Sequence, residues 1–245
     1  MKIISSLALA MSLAAPLAWS AGTVKVYSPE SKEPKTLSNA EHLIDLVGQP
    51  RLANSWWPGA VISERQATVL AEQKHLALLA RLTGLAEQEE GDAAAAINAV
   101  RQQLQAIQVT GRQQVNLDPD VVRVTDTGNP TLEGEYTLWV PRQPDTVTVM
   151  GLVSAPGKKP FTPGRDLASY LDEQRLLAGA EKSYAWVIYP DGRTQKAPVA
   201  YWNKRHIEPM PGSLIFVGFA DHFWTKAYDG LNADILRSLT QRIPD

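Results

Sequence analysis

The sequence predicts an α+β protein in which one small unit is written twice, and three observations predict it. KTLSNAEHLIDLV at 35–47 is echoed by KPFTPGRDLASYL at 159–171, with Lys35 matching Lys159, Leu37 Phe161, Ser38 Thr162 and Leu43 Leu167. The neighbouring stretches recur in order: Val24 and Val147, Lys35 and Lys159, and Ala60 and Trp186 stand at nearly the same separation. Each copy closes on a glycine followed by an apolar strand, at 134–140 and at 212–217.

The chain opens with one positive charge at Lys2, a largely apolar run at 3–17, and Ala18-Trp19-Ser20 with small residues on either side of the tryptophan. This pattern predicts a cleaved signal peptide over 1–20. A run of about fifteen residues is short of the roughly twenty that span a bilayer, so no membrane span is expected after cleavage.

In the first copy, alternation over 24–27 predicts a strand. The helix after it opens on Ser38, whose hydroxyl is placed to accept from free amides of the first turn, and Thr162 has the same place in the second copy. Residues 60–63 and 186–189 predict the next strand. In the second copy Pro190-Asp191-Gly192-Arg193 reads as a tight turn into a paired strand.

In the first copy two helices replace that turn. One starts at Ser63, with Gln66 completing a capping box. It carries Val69, Leu76, Leu79 and Leu82 on its apolar face and ends at Gly84. The other starts near Asp92 and turns Ile97, Val100, Leu104 and Ile107 to one side. The polar segment 87–91 joins them, which predicts a helical hairpin over about 63–108 projecting from the first unit.

Strand, helix, strand, strand and Gly-strand is the order of a β-grasp (ubiquitin-like) fold, a helix packed across a small mixed sheet. The expected organisation is a first β-grasp domain over 21–142, a second over 143–222, and a C-terminal amphipathic helix over 223–245. Leu231, Ile235, Leu236, Leu239 and Ile243 form the stripe of that helix. The stripe is expected to pack on the second domain, with an oligomer or membrane-surface contact as the alternative.

Composition narrows the function. The 24 basic and 26 acidic residues leave a net charge of −2, which argues against nucleic acid, whose phosphates need concentrated positive charge. There is no cysteine, so disulfides and thiolate chemistry are excluded. An exported, cysteine-free, mildly acidic chain suits a Gram-negative periplasm.

Several long motifs stand out: Trp56-Trp57-Pro58-Gly59-Ala60, Thr110-Gly111-Arg112, Leu117-Asp118-Pro119-Asp120, Trp202-Asn203-Lys204-Arg205-His206-Ile207-Glu208-Pro209, and the ending from Leu239 to Asp245. On these the mature chain resembles the GfcC/YjbG family of periplasmic capsule and exopolysaccharide proteins, nearer its YjbG branch. The resemblance implies tandem β-grasp domains related to those of outer-membrane polysaccharide export proteins, with a helical hairpin in the first and an amphipathic helix resting on the second. It also implies that the arginine of the Thr-Gly-Arg motif, here Arg112, is central to structure and function.

Candidate site residues each carry two readings. Arg112 is either a brace between hairpin and sheet, at the entry to a strand over 113–117, or a contact for an acidic sugar; either use needs its planar fork. Trp56, Trp57 and Trp202 offer sugar platforms or core packing. His206 and Glu208, two apart, offer a proton-transfer pair or simple backbone bonding near Pro209 and Pro211. No nucleophile with an orienting partner, metal-ligand spacing or phosphate loop accompanies them.

The expectation is a non-enzymatic accessory with no cofactor or metal. It would work with outer-membrane polysaccharide export components and touch the exopolysaccharide itself. A polysaccharide-modifying enzyme and a membrane-associating oligomer are the alternatives.

Overall fold

The computed structural model describes residues 21–31, 33–221 and 225–244; the expected signal peptide lies outside the described residues. The first sheet is built from β1 (Gly22–Tyr27), β2 (Lys35–Ala40), β3 (Val61–Glu64) and β4 (Glu135–Trp139). Its strand order is β2-β1-β4-β3, with β1 parallel to β4 and the other pairs antiparallel. A short helix, α1 (Leu43–Val47), packs Leu43, Leu46 and Val47 on Val24, Val26 and Leu138 to make this unit's core.

The repeat is present, but its helices begin later than Ser38 and Thr162. Lys35–Ala40 is an edge strand, so Ser38 caps nothing; Asn39 takes a positive φ of 64° and turns the chain. The helix starts only after His42, whose amide donates to Asp45 Oδ2 at 2.9 Å. A hydroxyl residue ahead of an apolar run fits a strand end as well as an N-cap, and here strand pairing wins.

Between β3 and β4 lie α2 (Arg65–Glu87), α3 (Gly91–Gln105) and α4 (Pro119–Val124). The cap of α2 is Glu64 rather than Ser63: its carboxylate accepts from the amides of Gln66 at 2.7 Å and Ala67 at 2.8 Å. Ser63 is a buried β3 residue. Gly84 does not end the helix, which continues because Leu85 and Ala86 directly after it are buried.

The face of α2 also differs from expectation. Leu82 is buried, but Val69 and Leu76 are 48% and 64% exposed, and His75, Leu78 and Leu85 point inward instead. Leucines surround this helix, so periodicity alone does not choose a face. On α3 the expected Ile97, Val100 and Leu104 are buried, with Ile107 packed beside them.

The second sheet comprises β5 (Thr146–Gly151), β6 (Gly157–Pro160), β7 (Tyr184–Ile188), β8 (Thr194–Pro198) and β9 (Leu214–Val217), with α5 (Leu167–Leu171) across it. Strand order is β6-β5-β9-β7-β8, and the central pair β5 and β9 is parallel. The turn at 190–193 is formed, with Tyr189 N–H donating to Arg193 O at 2.8 Å. All four residues of β9 are buried, as expected of a strand covered on both faces.

The second covering layer is the hairpin inserted in the first unit. Leu78, Leu82, Ile97, Val100 and Leu104 share one core with β5, β7 and β9, so the hairpin is docked on the second unit rather than projecting. α6 (Leu231–Thr240) completes that core through Leu231, Ile235 and Leu239. Its apolar stripe therefore faces inward, leaving little for a bilayer or another copy. Among the described residues no helix is long and apolar enough to cross a membrane.

Candidate functional site

The chain returning from α3 enters a crowded crossing. Thr110 is fully buried; its amide donates to Gln241 O at 2.8 Å, and its hydroxyl lies 3.1 Å from that of Thr68 on α2. Gly111 donates its amide to Thr68 Oγ1 at 3.0 Å. A Cβ on Gly111 would run into the backbone of Ala67 and Thr68, so only glycine lets the strap lie on the helix.

Arg112 sits in an isolated bridge with Ser63 rather than at the head of a strand, and 113–117 is irregular. Gln113 N–H donates to Ile62 O at 2.8 Å, so the strap runs along β3 where β8 runs along β7 in the other sheet. The side chain is 8% exposed. Its Nη2 donates to Pro190 O at 2.5 Å and Ala60 O at 3.4 Å, and its Nη1 to Thr240 O at 3.3 Å. The backbone amide adds Gln241 Oε1 at 2.7 Å.

One guanidinium thus joins the first sheet, the turn of the second and the end of α6. Gly192, at φ 89°, leaves room for it, since a Cβ there would stand 3.0 Å from Nη1. Burial, and then the neighbouring Arg242, push the Arg112 pKa down to about 10, with Asp191 pulling the other way. It remains a cation at neutral pH.

The other candidates lie apart from one another. Trp56 and Trp57 are both half-buried and diverge: Trp57 packs on the first core, whereas Trp56 lies over Gly59 and reaches towards Gly212 of the second unit. Tyr201 and Trp202 are 98% and 73% exposed on the loop after β8. His206 is exposed and irregular in backbone. Glu208 Oε1 accepts the Gly164 amide at 2.6 Å.

The motif from Trp202 to Pro209 is stitched to the start of α5. Asn203 Oδ1 accepts from the Ala200 amide at 3.0 Å, Lys204 pairs with Asp166 at 3.1 Å, and Leu167 N–H donates to Ile207 O at 2.8 Å. His75, which sequence reading left aside, is buried with Nδ1 2.7 Å from Ser238 Oγ; burial lowers its pKa, against an opposing bond to the Leu104 backbone. Among the described residues no cluster of three or more His, Asp or Glu side chains could hold a metal ion.

Beside Arg112 the two units face one another across a cleft of about 730 Å³. Tyr27 and Trp139, neighbours in register on β1 and β4, stack there with ring centroids 5.9 Å apart. Neither stood out in the sequence. The signal was available in their place on the sheet face opposite the buried Val26 and Leu138.

Comparison with known proteins gives two family matches and a close relative. The model for the N-terminal part of the capsule biosynthesis protein GfcC matches residues 20–143, and that for its C-terminal part matches 155–244. The chain is 67% identical over 237 residues, 97% of each chain, to the uncharacterized protein YjbG of Escherichia coli strain K12.

Proposed function

Because the chain belongs to the GfcC family of capsule biosynthesis proteins, we propose that it serves in the periplasm as a non-catalytic accessory in making or exporting an exopolysaccharide. Its partners are the outer-membrane components of the export route. The observation that carries this reading is the crossing at Arg112, where one buried side chain ties the first sheet, the turn of the second and the end of α6. A fixed joint between two units suits the alignment of partners better than a moving catalytic site.

Glu208 supports the non-catalytic reading, since its carboxylate accepts the Gly164 amide. We further propose that both sheets are β-grasp units, divided near residues 142 and 143. The order second-first-last-third-fourth around a parallel central pair supports this for the second sheet. The first sheet has the same order without its fourth strand, which the strap at Arg112 stands in for.

The test is surface polysaccharide in a strain lacking this gene, complemented with wild type, Arg112→Ala or Arg112→Lys, with periplasmic protein measured alongside. Loss of polymer on deletion, restored by wild type alone at matched protein level, supports the reading. Unchanged polymer in the deletion strain, under conditions where the polymer is made, refutes it.

A further inference from the structure

The cleft between the units combines ring faces with positive charge. One wall is the face of the first sheet turned away from its core, where Tyr27 stacks on Trp139 with planes 10° apart. Trp56 enters beside them. The opposite wall is β5 and β6, with Thr146, Thr148 and Lys158, and Arg142 stands at the mouth on the segment joining the units.

Among the described residues lining the cleft, Arg142 is an exposed cation on the connecting segment and Arg112 adds a buried one. The cleft's volume, about 730 Å³, lies within the range of pockets that enclose small organic ligands. Aromatic faces suit the flat C–H faces of sugar rings, and arginine suits a carboxylate through paired, charge-assisted bonds.

We infer that this cleft holds a segment of an acidic polysaccharide, with sugar rings on Tyr27, Trp139 and Trp56 and a uronate-type carboxylate at Arg142. The inference takes its ligand class from the exopolysaccharide reading above and adds the site and the charge. Arg112 forms the floor and keeps its bonds to the backbone. Arg142 is exposed on a connecting segment, so it can be changed without disturbing either core.

The experiment is calorimetric titration of the purified protein with a galacturonate hexamer and with the neutral cellohexaose. The hexauronate is expected to bind, more weakly as salt rises because exposed charges are screened. Arg142→Gln is expected to weaken it about tenfold. Tyr27→Ala weakens it as well, whereas Trp202→Ala, on the distant exposed loop, leaves it unchanged.

No heat with the hexauronate at millimolar concentration overturns the inference, as does equal affinity for cellohexaose or indifference to Arg142→Gln. Loss of binding in Trp202→Ala overturns it too, by placing the contact on the loop. Failure of the hexauronate to bind, with polymer still lost on gene deletion, removes the cleft as a polymer site and leaves the accessory role intact. Cleft binding in a protein whose deletion leaves polymer unchanged supports the site and removes the role.

Discussion

Replacing Arg112 by Met keeps the side chain's length and removes its charge. Of the carbonyls it serves, Pro190 O at 2.5 Å is the strong acceptor, and Thr240 O at 3.3 Å and Ala60 O at 3.4 Å are weak ones. With ~3 kcal/mol for the first and ~1 kcal/mol for each of the others, ~5 kcal/mol of bonding is lost. Against this stands the cost of burying the cation, seen in a pKa lowered from 12.5 to about 10. At ~1.4 kcal/mol per pH unit, removing the charge returns ~3 kcal/mol.

The bonds therefore win by ~2 kcal/mol, a fall of ~4–8 °C in Tm for a chain of this size. Arg112→Lys retains a charge that must be desolvated but serves fewer carbonyls, so it is expected to do no better than Met. Thermal unfolding followed by far-UV circular dichroism, checked against urea midpoints, reads the effect. A wild-type midpoint for Arg112→Met would refute the brace. If the variant is stable at periplasmic temperature yet fails to restore polymer, Arg112 acts in contact rather than in support.

Three further outcomes are expected. Gly111→Ala drives a Cβ into the backbone of α2 at Ala67 and Thr68 and is expected to cost ~2–3 kcal/mol in urea denaturation. Leu82→Ala, in the hairpin, is expected to cost ~2–5 kcal/mol, and hydrogen exchange should show the loss in β5 and β9 rather than in β1. The buried His75 has a pKa below its ordinary 6.5, so the unfolded chain binds the proton more readily than the folded one. Its contribution to stability is whole above pH ~6.5 and declines as pH falls towards the lowered folded value. His75→Asn should flatten that acid limb relative to wild type; parallel curves would show that His75 does not set it.

The repeat was legible because its marks are local: alternation in β1 and β5, an apolar helix in each copy, and a glycine before β4 and β9. The true start of each helix was hidden, since Ser38 and Thr162 look the same before a cap or at the end of a strand. The direction of the hairpin was hidden for another reason. α2 carries leucines at 70, 76, 78, 79, 82 and 85, and only the second sheet, distant in sequence, decides which of them are buried.

Arg112 was legible as a residue but its partners were not. It reaches carbonyls 52, 78 and 128 positions away, and a backbone carbonyl leaves no mark on the identity of the residue that carries it. The cleft aromatics were hidden likewise, because Tyr27 and Trp139 meet only once the parallel register of β1 and β4 is known.

The docked hairpin bears on how the chain reaches its native state. The core of the second unit needs Leu78 to Leu104 from the first half and Leu231 to Leu239 from its last turns, so neither half holds a complete nucleus. Contacts of such sequence separation carry a loop-closure cost before any burial rewards it, which slows folding. A fragment starting at the linker would lack one covering layer of its sheet. The insertion joins the two sheets into one cooperative body that closes only when the tail arrives.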